Sequence, residues 1–477
     1  MSSSTEARAQ LASVVKTYDI RGLVGEGLTD EIVTAIAAGF VDEVGAAGGD
    51  VIVGHDMRDS SPRFAAAFAS GAQARGANVV SIGLCSTDES YYASGALGAP
   101  AAMFTASHNP ATYNGIKLSR AGAQAISMET GLGAIRDRAG AYLAAGAVEP
   151  AAQPGTYREE NVLSGYAAHL RGLVDLGGIR TITVVVDAGN GMGGLTVPAV
   201  LGTAADLPAL PISIEPLYFE LDGTFPNHEA NPLEPANLVD LQRAVVERGA
   251  DLGLAFDGDA DRCFVVDEKG QAVSPSAVAA IVAVREIRRV RALQPEGEIA
   301  VIHNLITSHF VPEAIEAAGA VPVRTKVGHS LIKDAMRSTG AIFGGEHSAH
   351  YYFRDFWSAD NGMLAAMHLL AEFGSQAEPL SKFGARYSPY AASGEINSTV
   401  SDVAAAYTRI VEAYAQQAEF DELDGLTVEG IVASDEPFWW FNVRPSNTEP
   451  LLRLNVEAAD VATMTRVRDA VLSLIRA

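Results

Sequence analysis

A serine on a turn is the first residue in this sequence that could do chemistry. The run Thr105-Ala106-Ser107-His108-Asn109-Pro110 follows a small apolar stretch at Ala99 to Phe104, typical of a strand. It ends in Asn-Pro, which favours a turn over a continuing helix. A serine hydroxyl is a weak nucleophile and needs a proton acceptor or an electrostatic partner. Lys117, a short way downstream, could be that partner. His108 is a poor candidate, because adjacent side chains of an extended segment point to opposite faces. A solvated serine turn is the ordinary alternative.

A second loop carries acidic residues at alternate positions. Leu252 to Phe256 predicts a buried strand, and Cys263 to Val266 predicts a returning one. Between them lie the carboxylates of Asp257, Asp259 and Asp261. Carboxylates this close repel one another unless a cation neutralises them, and hard oxygen ligands on a tight turn suit Mg²⁺. The flanking strands exclude a calcium-binding EF-hand, which needs flanking helices. Arg262 would add a phosphate ligand beside the metal. An acidic hairpin without metal remains the alternative.

Two further polar turns carry groups that bind sugars and phosphates. Gly344 to His350 includes Glu346, Ser348 and two histidines, which can hydrogen-bond to neighbouring sugar hydroxyls. Arg444 to Pro450, followed by Arg453, combines guanidinium, hydroxyl, amide and backbone N–H groups that suit a phosphate. Each turn is a weak indication by itself. A histidine-rich structural turn and an ordinary polar turn are the alternatives.

Composition limits the class of protein. A chain of 477 residues predicts roughly three or four domains. The 34 basic and 58 acidic residues give a net charge of −24, which disfavours nucleic acid or an anionic membrane as partner. Two distant cysteines, Cys85 and Cys263, indicate reduced thiols. No signal-peptide pattern and no apolar run of membrane-spanning length is present, so we expect a cytoplasmic protein.

Strands alternating with helices predict parallel sheets with crossover helices. A short strand is predicted at Val14 to Gly22, a helix at Asp30 to Val44 capped by Thr29, and a linker at Ala141 to Gly155. One pattern, a buried-type strand ending in a polar turn, occurs three times and suggests a repeated α/β domain. These strands are Asp50 to Val53, Thr181 to Val186 and Glu298 to Asn304.

The end of the chain has a different pattern. Ala404 to Gln417 and Asp460 to Ile475 predict amphipathic helices, and Phe438 to Val443 and Leu451 to Val456 predict strands. No parallel crossover is evident between these elements. The sequence therefore predicts a smaller α+β domain at this end.

Together the four loops resemble those of the α-D-phosphohexomutase family, most closely the bacterial phosphomannomutase/phosphoglucomutases. All four motifs stand in the family's order, and the resemblance covers essentially the whole chain. It implies three topologically similar mixed α/β domains and a smaller α+β C-terminal domain like TATA-binding proteins, around one cleft. The implied domains are 1–153 with the phosphoserine loop, 154–271 with the metal loop, 272–383 with the sugar loop and 384–477 with the phosphate loop.

The resemblance also implies an activity. Ser107 would carry a phosphoryl group and exchange it with hexose phosphates through a hexose 1,6-bisphosphate, interconverting the 1- and 6-phosphates of mannose and glucose. One Mg²⁺ would be held by Ser107, Asp257, Asp259 and Asp261, and glucose 1,6-bisphosphate would be the activator. The only implied partners are small hexose phosphates, and the protein would be a monomer or homodimer.

Individual residues acquire expected roles from the same resemblance. Lys117 matches a general acid/base, His108 a supporting residue beside the phosphoserine, and Arg262 a catalytic cation. His329 and His350 match positions tied to substrate contact and proton transfer. The expected substrate-binding residues are Tyr18, Arg21, Glu346, Ser348, Arg444, Ser446, Asn447, Thr448 and Arg453.

The choice of sugar is less defined. Thr105 and His347 favour mannose and glucose over glucosamine, because phosphoglucosamine mutases usually have Ser and Gln at these positions. Cys85-Ser86-Thr87-Asp88 departs from the Thr-Pro of many relatives and leaves the contacts of that turn open. The alternatives are a phosphoglucosamine mutase, a phosphoserine-dependent sugar phosphatase and a non-catalytic phosphosugar sensor. The intact serine, lysine and aspartates argue against the sensor.

Overall fold

A computed structural model describes residues 9–433, 436–445 and 451–477, apart from the side chains of residues 329 and 330. Four sheets follow one another along the chain, three mixed and the last antiparallel. The first and last domains have their own hydrophobic cores, whereas the second and third share a continuous one. The fold class predicted from the sequence is confirmed. The domain boundaries remain predictions.

The first sheet has the order β1-β5-β4-β2-β3-β7, with β6 paired to β5. Its strands are β1 (Ile20–Leu23), β2 (Asp50–His55), β3 (Asn78–Leu84), β4 (Ala101–Phe104), β5 (Tyr113–Arg120), β6 (Gln124–Ala125) and β7 (Tyr157–Glu159). Its helices are α1 (Asp30–Val44), α2 (Ser61–Ala74), α3 (Thr87–Leu97) and α4 (Gly133–Ala145). Helix α1 begins as predicted, because the Thr29 side chain accepts a hydrogen bond from the Ile32 N–H.

Two predictions for this domain are wrong in part. Residues 9–14 are helical, and the strand predicted from Val14 begins only at Ile20. Leu11, Val14 and Val15 are buried at the spacing of one helix face, which favours a helix. The predicted linker also begins too early. Ala141 to Ala145 continue α4, which ends at Gly146 in the left-handed conformation (φ 75°).

The second sheet has the order β12-β11-β10-β8-β9. Its strands are β8 (Ile182–Asp187), β9 (Ile212–Leu217), β10 (Leu252–Phe256), β11 (Cys263–Asp267) and β12 (Ala272–Val273). The helices in this part of the chain are α5 (Leu163–Leu173), α6 (Gly193–Val200) and α7 (Val239–Arg248). Strand β8, predicted at Thr181 to Val186, is rich in buried β-branched residues and lies between the parallel strands β9 and β10.

The third sheet has the order β14-β13-β15-β16-β17. Its strands are β13 (Ala300–Asn304), β14 (Val321–Thr325), β15 (Phe343–Gly345), β16 (Tyr351–Phe353) and β17 (Ala359–Asp360). The helices are α8 (Pro275–Leu293), α9 (Phe310–Ala317), α10 (His329–Thr339), α11 (Gly362–Gly374) and α12 (Leu380–Ala385).

The first three sheets repeat one topology, which confirms the predicted repeat. In each, three parallel strands are followed by an antiparallel neighbour. The connection from the third parallel strand to this neighbour is β4–β5, β10–β11 and β15–β16 in turn. These connections contain most or all of the serine loop (Thr105 to Pro110), the aspartate loop (Asp257 to Arg262) and the sugar loop (Gly344 to His350), respectively. The three candidate loops are therefore topologically equivalent.

The last sheet is antiparallel, with the order β18-β22-β21-β20-β19. Its strands are β18 (Ala391–Thr399), β19 (Ala418–Asp421), β20 (Leu426–Gly430), β21 (Trp439–Pro445) and β22 (Leu451–Ala458). Its helices are α13 (Val403–Tyr414) and α14 (Val461–Arg476). This confirms the predicted α+β domain. Across the described residues, no helix combines the length and apolar character needed to span a membrane.

Candidate active site

The serine and aspartate loops touch each other. The Ser107 hydroxyl donates to the Asp257 carboxylate at 2.9 Å. The backbones also approach closely, since a Cβ on Gly258 would lie 2.4 Å from the Ser107 carbonyl oxygen. Only glycine can fill this position without moving the loop. Two residues 150 positions apart are thus joined at the ends of equivalent strands.

Ser107 has a left-handed backbone (φ 51°) and is almost fully buried. The backbone N–H of Ser107 donates a hydrogen bond to the Thr105 hydroxyl at 2.9 Å. The expectation that His108 points away from the serine is wrong. His108 Nδ1 lies 3.2 Å from Ser107 Oγ, because the segment is not extended at Ser107. Burial, together with Arg262, lowers the pKa of His108 well below its ordinary value, so the ring is neutral.

The three aspartates of the second loop are buried, and one carboxylate oxygen of each lies within 4.8 Å of the others. Burial raises the pKa of Asp257, against the opposing charge of Arg262, whose Nε donates to Asp257 at 3.0 Å. Among the described residues, Oδ1 of Asp259 and Oδ1 of Asp261 are buried without a hydrogen-bond partner. Unpaired carboxylate oxygens in this arrangement fit a hard divalent cation such as Mg²⁺.

Lys117 brings a cation from the first domain to the aspartates. It lies on β5 opposite Met103 of β4, next to the strand that leads into the serine loop. Its Nζ lies 2.7 Å from Asp259 Oδ2 and 2.5 Å from Asp261 Oδ2. Burial acts to lower the pKa of Lys117, but these carboxylates raise it well above the ordinary value. Burial likewise acts to raise the pKa of Asp259, yet Lys117 lowers it. Lys117 is therefore charged in this arrangement.

A cavity of about 490 Å³ opens beside these groups. The predicted site residues that line it are Tyr18, Arg21, Ser107, His108, Lys117, Asp261, Arg262 and His350. Arg21 contacts the Asn109 side chain and forms an ion pair with Asp19 at 2.6 Å, so its guanidinium lies beside the serine loop. Burial and the nearby Asp424 raise the pKa of Tyr18. Basic groups thus face a cavity of the size that small ligands occupy.

The third loop extends toward the aspartates through His350. Its Nε2 lies 3.9 Å from Asp261 Oδ1, and its Nδ1 lies 3.0 Å from the Ser348 hydroxyl. Glu346 is buried and accepts hydrogen bonds from the Tyr352 hydroxyl at 2.6 Å and the Asn304 amide at 3.2 Å. Its carboxylate is therefore held in place.

The fourth loop is described only at its edges. Arg444 and Arg453 are opposite each other on β21 and β22, and both pair with Glu395, at 2.7 and 3.4 Å. Neither residue lines the 490 Å³ cavity. Ser446, Asn447 and Thr448 lie outside the described residues. His329 begins α10, but its side chain is not described. The roles of these residues remain predictions.

Comparison with known proteins identifies the family. Four family models match in order: phosphoglucomutase/phosphomannomutase alpha/beta/alpha domain I at 12–140, domain II at 164–270, domain III at 274–390 and the C-terminal domain at 395–474. The chain belongs to the phosphoglucomutase/phosphomannomutase family. It is therefore an isomerase that acts as a phosphohexose mutase, as the sequence predicted.

Similar proteins cover the whole chain. One named phosphohexose mutases, from Xanthomonas campestris pv. campestris, is 40% identical over 457 residues, 95% of this chain and 96% of the relative. A phosphomannomutase from Salmonella typhimurium is 37% identical over 466 residues, 96% and 98% of the two chains. The crystal structure of a phosphoglucomutase/phosphomannomutase family protein from Burkholderia thailandensis has a TM-score of 0.84 at 29% identity, over 97% of each chain.

Two contacts of this phosphohexose mutase were not anticipated from the sequence. The Thr87 hydroxyl, at the start of α3, donates to Asp259 Oδ2 at 2.6 Å. Arg58, which follows β2, is buried and donates to four carbonyl oxygens of the serine loop. The polar turn Gly54 to Asp59 was the only signal in the sequence. Nothing in its residue types shows that Arg58 is buried.

The turn Cys85 to Asp88 is buried and contacts the second domain. Asp88 accepts from the Tyr166 hydroxyl at 2.5 Å and contacts the Ser86 hydroxyl. Tyr166 lies on α5 of the second domain, and the Asn361 amide of the third domain is 3.5 Å from its hydroxyl. Burial raises the pKa of Asp88 from 3.8 to about 7.

Asp88→Asn should flatten part of the pH dependence of stability. The folded enzyme holds the Asp88 proton more tightly than the unfolded chain. Wild type should therefore lose stability relative to the variant as pH rises from about 4 to about 7, by up to about 1.4 kcal/mol per pH unit. Melting temperatures of both proteins between pH 4.5 and 8.5 test this, and Glu89 is unchanged in both. Parallel curves would contradict the assignment.

Proposed function

We propose that the enzyme uses a phosphorylated Ser107 to interconvert the 1- and 6-phosphates of mannose and glucose. The observation that carries the proposal is the contact of the Ser107 hydroxyl with Asp257, beside a cavity lined by Arg262 and Lys117. Nucleophile, carboxylates and cations thus meet where a phosphosugar could enter. Positioning and charge stabilisation are what phosphoryl transfer requires of a protein.

The reaction consists of two transfers. In the first, the P–Oγ bond of phosphorylated Ser107 breaks and a bond forms from phosphorus to the oxygen of the free sugar hydroxyl. The hydroxyl proton passes to a base, and Ser107 Oγ takes up a proton. In the second, the other phosphoryl group of the hexose 1,6-bisphosphate moves to Ser107 Oγ, which releases its proton, and the sugar oxygen takes one up. We assign Lys117, His329 and His350 to proton transfer, and Arg21 and Arg262 to binding the phosphoryl oxygens.

The metal belongs to the same proposal. The family depends on Mg²⁺, and the unpaired oxygens of Asp259 and Asp261 fit it. Asp257, Asp259, Asp261 and the Ser107 phosphoryl group would hold the ion, which supplies charge stabilisation for the transferring group. Lys117 pairs with the Oδ2 atoms of Asp259 and Asp261, which leaves the Oδ1 atom of each carboxylate for a metal.

Asp259→Asn should weaken metal binding. The carboxylate lies in the buried triad, so we expect a loss of affinity above the roughly 10–100-fold that an outer-shell change costs. Titration with Mn²⁺, followed by electron paramagnetic resonance, measures this without activity. Asp137→Asn is the control, since the Asp137 side chain is 72% exposed on α4. Equal Mn²⁺ affinities for wild type and Asp259→Asn would contradict the metal assignment.

The sugar is assigned to the third loop. Glu346 and Ser348 are proposed to bind neighbouring sugar hydroxyls, and Tyr18, which lines the cavity, to contact the substrate. The phosphate that is not reacting is assigned to the fourth-loop residues Arg444, Ser446, Asn447, Thr448 and Arg453. Glucose and mannose differ only at C2. A pair that binds other hydroxyls would accept both sugars, because discrimination needs a contact at the differing group. Relatives named phosphomannomutase support mannose, and the phosphoglucomutase/phosphomannomutase family protein from Burkholderia thailandensis supports the pair of sugars.

The test is a coupled assay of the purified enzyme with Mg²⁺ and catalytic glucose 1,6-bisphosphate, the proposed activator. Mannose 1-phosphate, glucose 1-phosphate and glucosamine 1-phosphate are offered in parallel. We expect turnover of the first two and its loss with a chelator. Turnover of glucosamine 1-phosphate alone would overturn the sugar assignment and favour a phosphoglucosamine mutase. Release of free phosphate without isomerisation would favour a phosphatase.

A further inference from the structure

The buried guanidinium group of Arg58 hydrogen-bonds to the backbone of the serine loop. Arg58 is 1% exposed. Its Nη2 donates to the carbonyl oxygens of Ser107 at 2.8 Å and Asn109 at 2.7 Å. Its Nη1 donates to those of Pro110 at 2.9 Å and Tyr113 at 3.1 Å. Four carbonyl groups of one short segment therefore converge on a single side chain.

Arg58 is itself fixed by its surroundings. Its Nε lies 3.2 Å from Asp56 Oδ2, and its backbone N–H donates to the other carboxylate oxygen at 3.0 Å. The Ser61 hydroxyl donates to the same carboxylate at 2.6 Å. The ring of Phe225, from the second domain, lies 5.1 Å from the guanidinium carbon. Groups outside the serine loop therefore fix the orientation of the planar guanidinium.

The direction of these carbonyl groups has an electrostatic consequence. In a trans peptide the C=O and the following N–H point in opposite directions. The Ser107 carbonyl oxygen accepts a hydrogen bond from Arg58, so this negative atom is turned toward the guanidinium and not toward a phosphoryl group on Ser107. The N–H of His108, in the same peptide, therefore points away from Arg58. Ser107 and His108 line the 490 Å³ cavity, and Arg58 does not. A loop without the guanidinium could turn a carbonyl oxygen toward the phosphoryl group.

We propose that Arg58 is a positioning residue for phosphoryl transfer: it holds the left-handed backbone of Ser107 and turns the loop carbonyl groups away from the phosphoserine. This inference rests on the proposed function of Ser107. Arg58 does not line the cavity, and it contacts the serine loop through backbone carbonyl oxygens. Its effect is to keep Ser107 Oγ in the geometry that accepts and donates the phosphoryl group.

The test compares Arg58→Lys with wild type. Lysine keeps the charge but lacks the fork that can donate to several carbonyl oxygens at once. We expect kcat to fall by about 100-fold, the cost of slight misplacement of a reacting group, while KM stays unchanged. The rate at which Ser107 gains a phosphoryl group from glucose 1,6-bisphosphate, followed by intact mass, should fall by the same factor. Arg63→Lys, at an exposed pair with Asp30 on the next helix, is the control.

The outcomes separate this inference from the proposed function. No phosphoryl uptake by wild type would refute the phosphoserine assignment. Uptake and kcat of Arg58→Lys equal to wild type would refute only the role of Arg58, as would a loss fully explained by a lower folded fraction. Should Arg58→Lys fail to fold, Phe225→Leu replaces it, because this half-buried ring supports the guanidinium. A lower kcat at unchanged KM would support the role, and an unchanged kcat would refute it.

Discussion

Ser107→Ala should abolish interconversion of hexose phosphates, with kcat/KM reduced by about 10⁴-fold or more, the scale of losing a nucleophile. The substitution removes the hydroxyl that we propose to carry the phosphoryl group between the two ends of the sugar. The fold should be unaffected, because Ser107 Oγ contacts only Asp257 and the adjacent His108 among the described residues. The coupled assay with glucose 1-phosphate and glucose 1,6-bisphosphate measures the loss.

The matched control is Ser70→Ala. Ser70 also has a hydroxyl in a local hydrogen bond, to the Ala66 carbonyl on α2, far along the chain from the cleft residues. It should retain wild-type activity. Activity of Ser107→Ala within about tenfold of wild type would show that another group carries the phosphoryl group, because a nucleophile's loss costs far more.

Among the variants proposed here, Lys333→Met should lower the free energy of unfolding the most. Lys333 on α10 is fully buried and pairs with Asp360 at 2.6 Å. Its ammonium lies 4.0 Å from the ring centre of Tyr91, on α3 of the first domain. Removing it leaves the buried Asp360 carboxylate without this cation, which costs about 3–5 kcal/mol. The free energy of unfolding, from urea titrations followed by circular dichroism, measures the effect.

Two further variants make this test specific. Lys269→Met removes an exposed lysine and should leave stability unchanged. Adding Asp360→Asn to Lys333→Met removes the buried negative charge that Lys333 balances and should restore much of the loss, because the cost of breaking a buried pair comes mainly from the remaining ion. A stability of Lys333→Met equal to wild type, or no recovery in the double variant, would contradict this account.

The placement of the candidate residues on turns at strand ends was predictable because it depends on residue types and short spacings. Asp257, Asp259 and Asp261 lie on a turn between two strands, as their alternation with small residues and the flanking apolar runs predicted. The repeated domain was also predictable, since buried strands such as β8 and β13 each end in a polar turn. Helix α1 begins after Thr29 because its cap is a local interaction.

The missed features depend on contacts between distant parts of the chain. The approach of His108 to the serine follows from the left-handed backbone of Ser107. That backbone is held by Arg58, 49 positions earlier. From the sequence alone, Lys333 has no feature that distinguishes it from a surface lysine. Tertiary packing nevertheless buries it against Tyr91. Residue spacing gives no measure of such burial.

The most direct test of the account is to locate the phosphoryl group. Wild-type enzyme is incubated with glucose 1,6-bisphosphate and Mg²⁺, digested, and its peptides are sequenced by mass spectrometry. We predict one phosphoryl group, on Ser107, that disappears when excess glucose 6-phosphate accepts it. A phosphoryl group on any other residue, or none on an enzyme that still turns over, would contradict the phosphoserine mechanism.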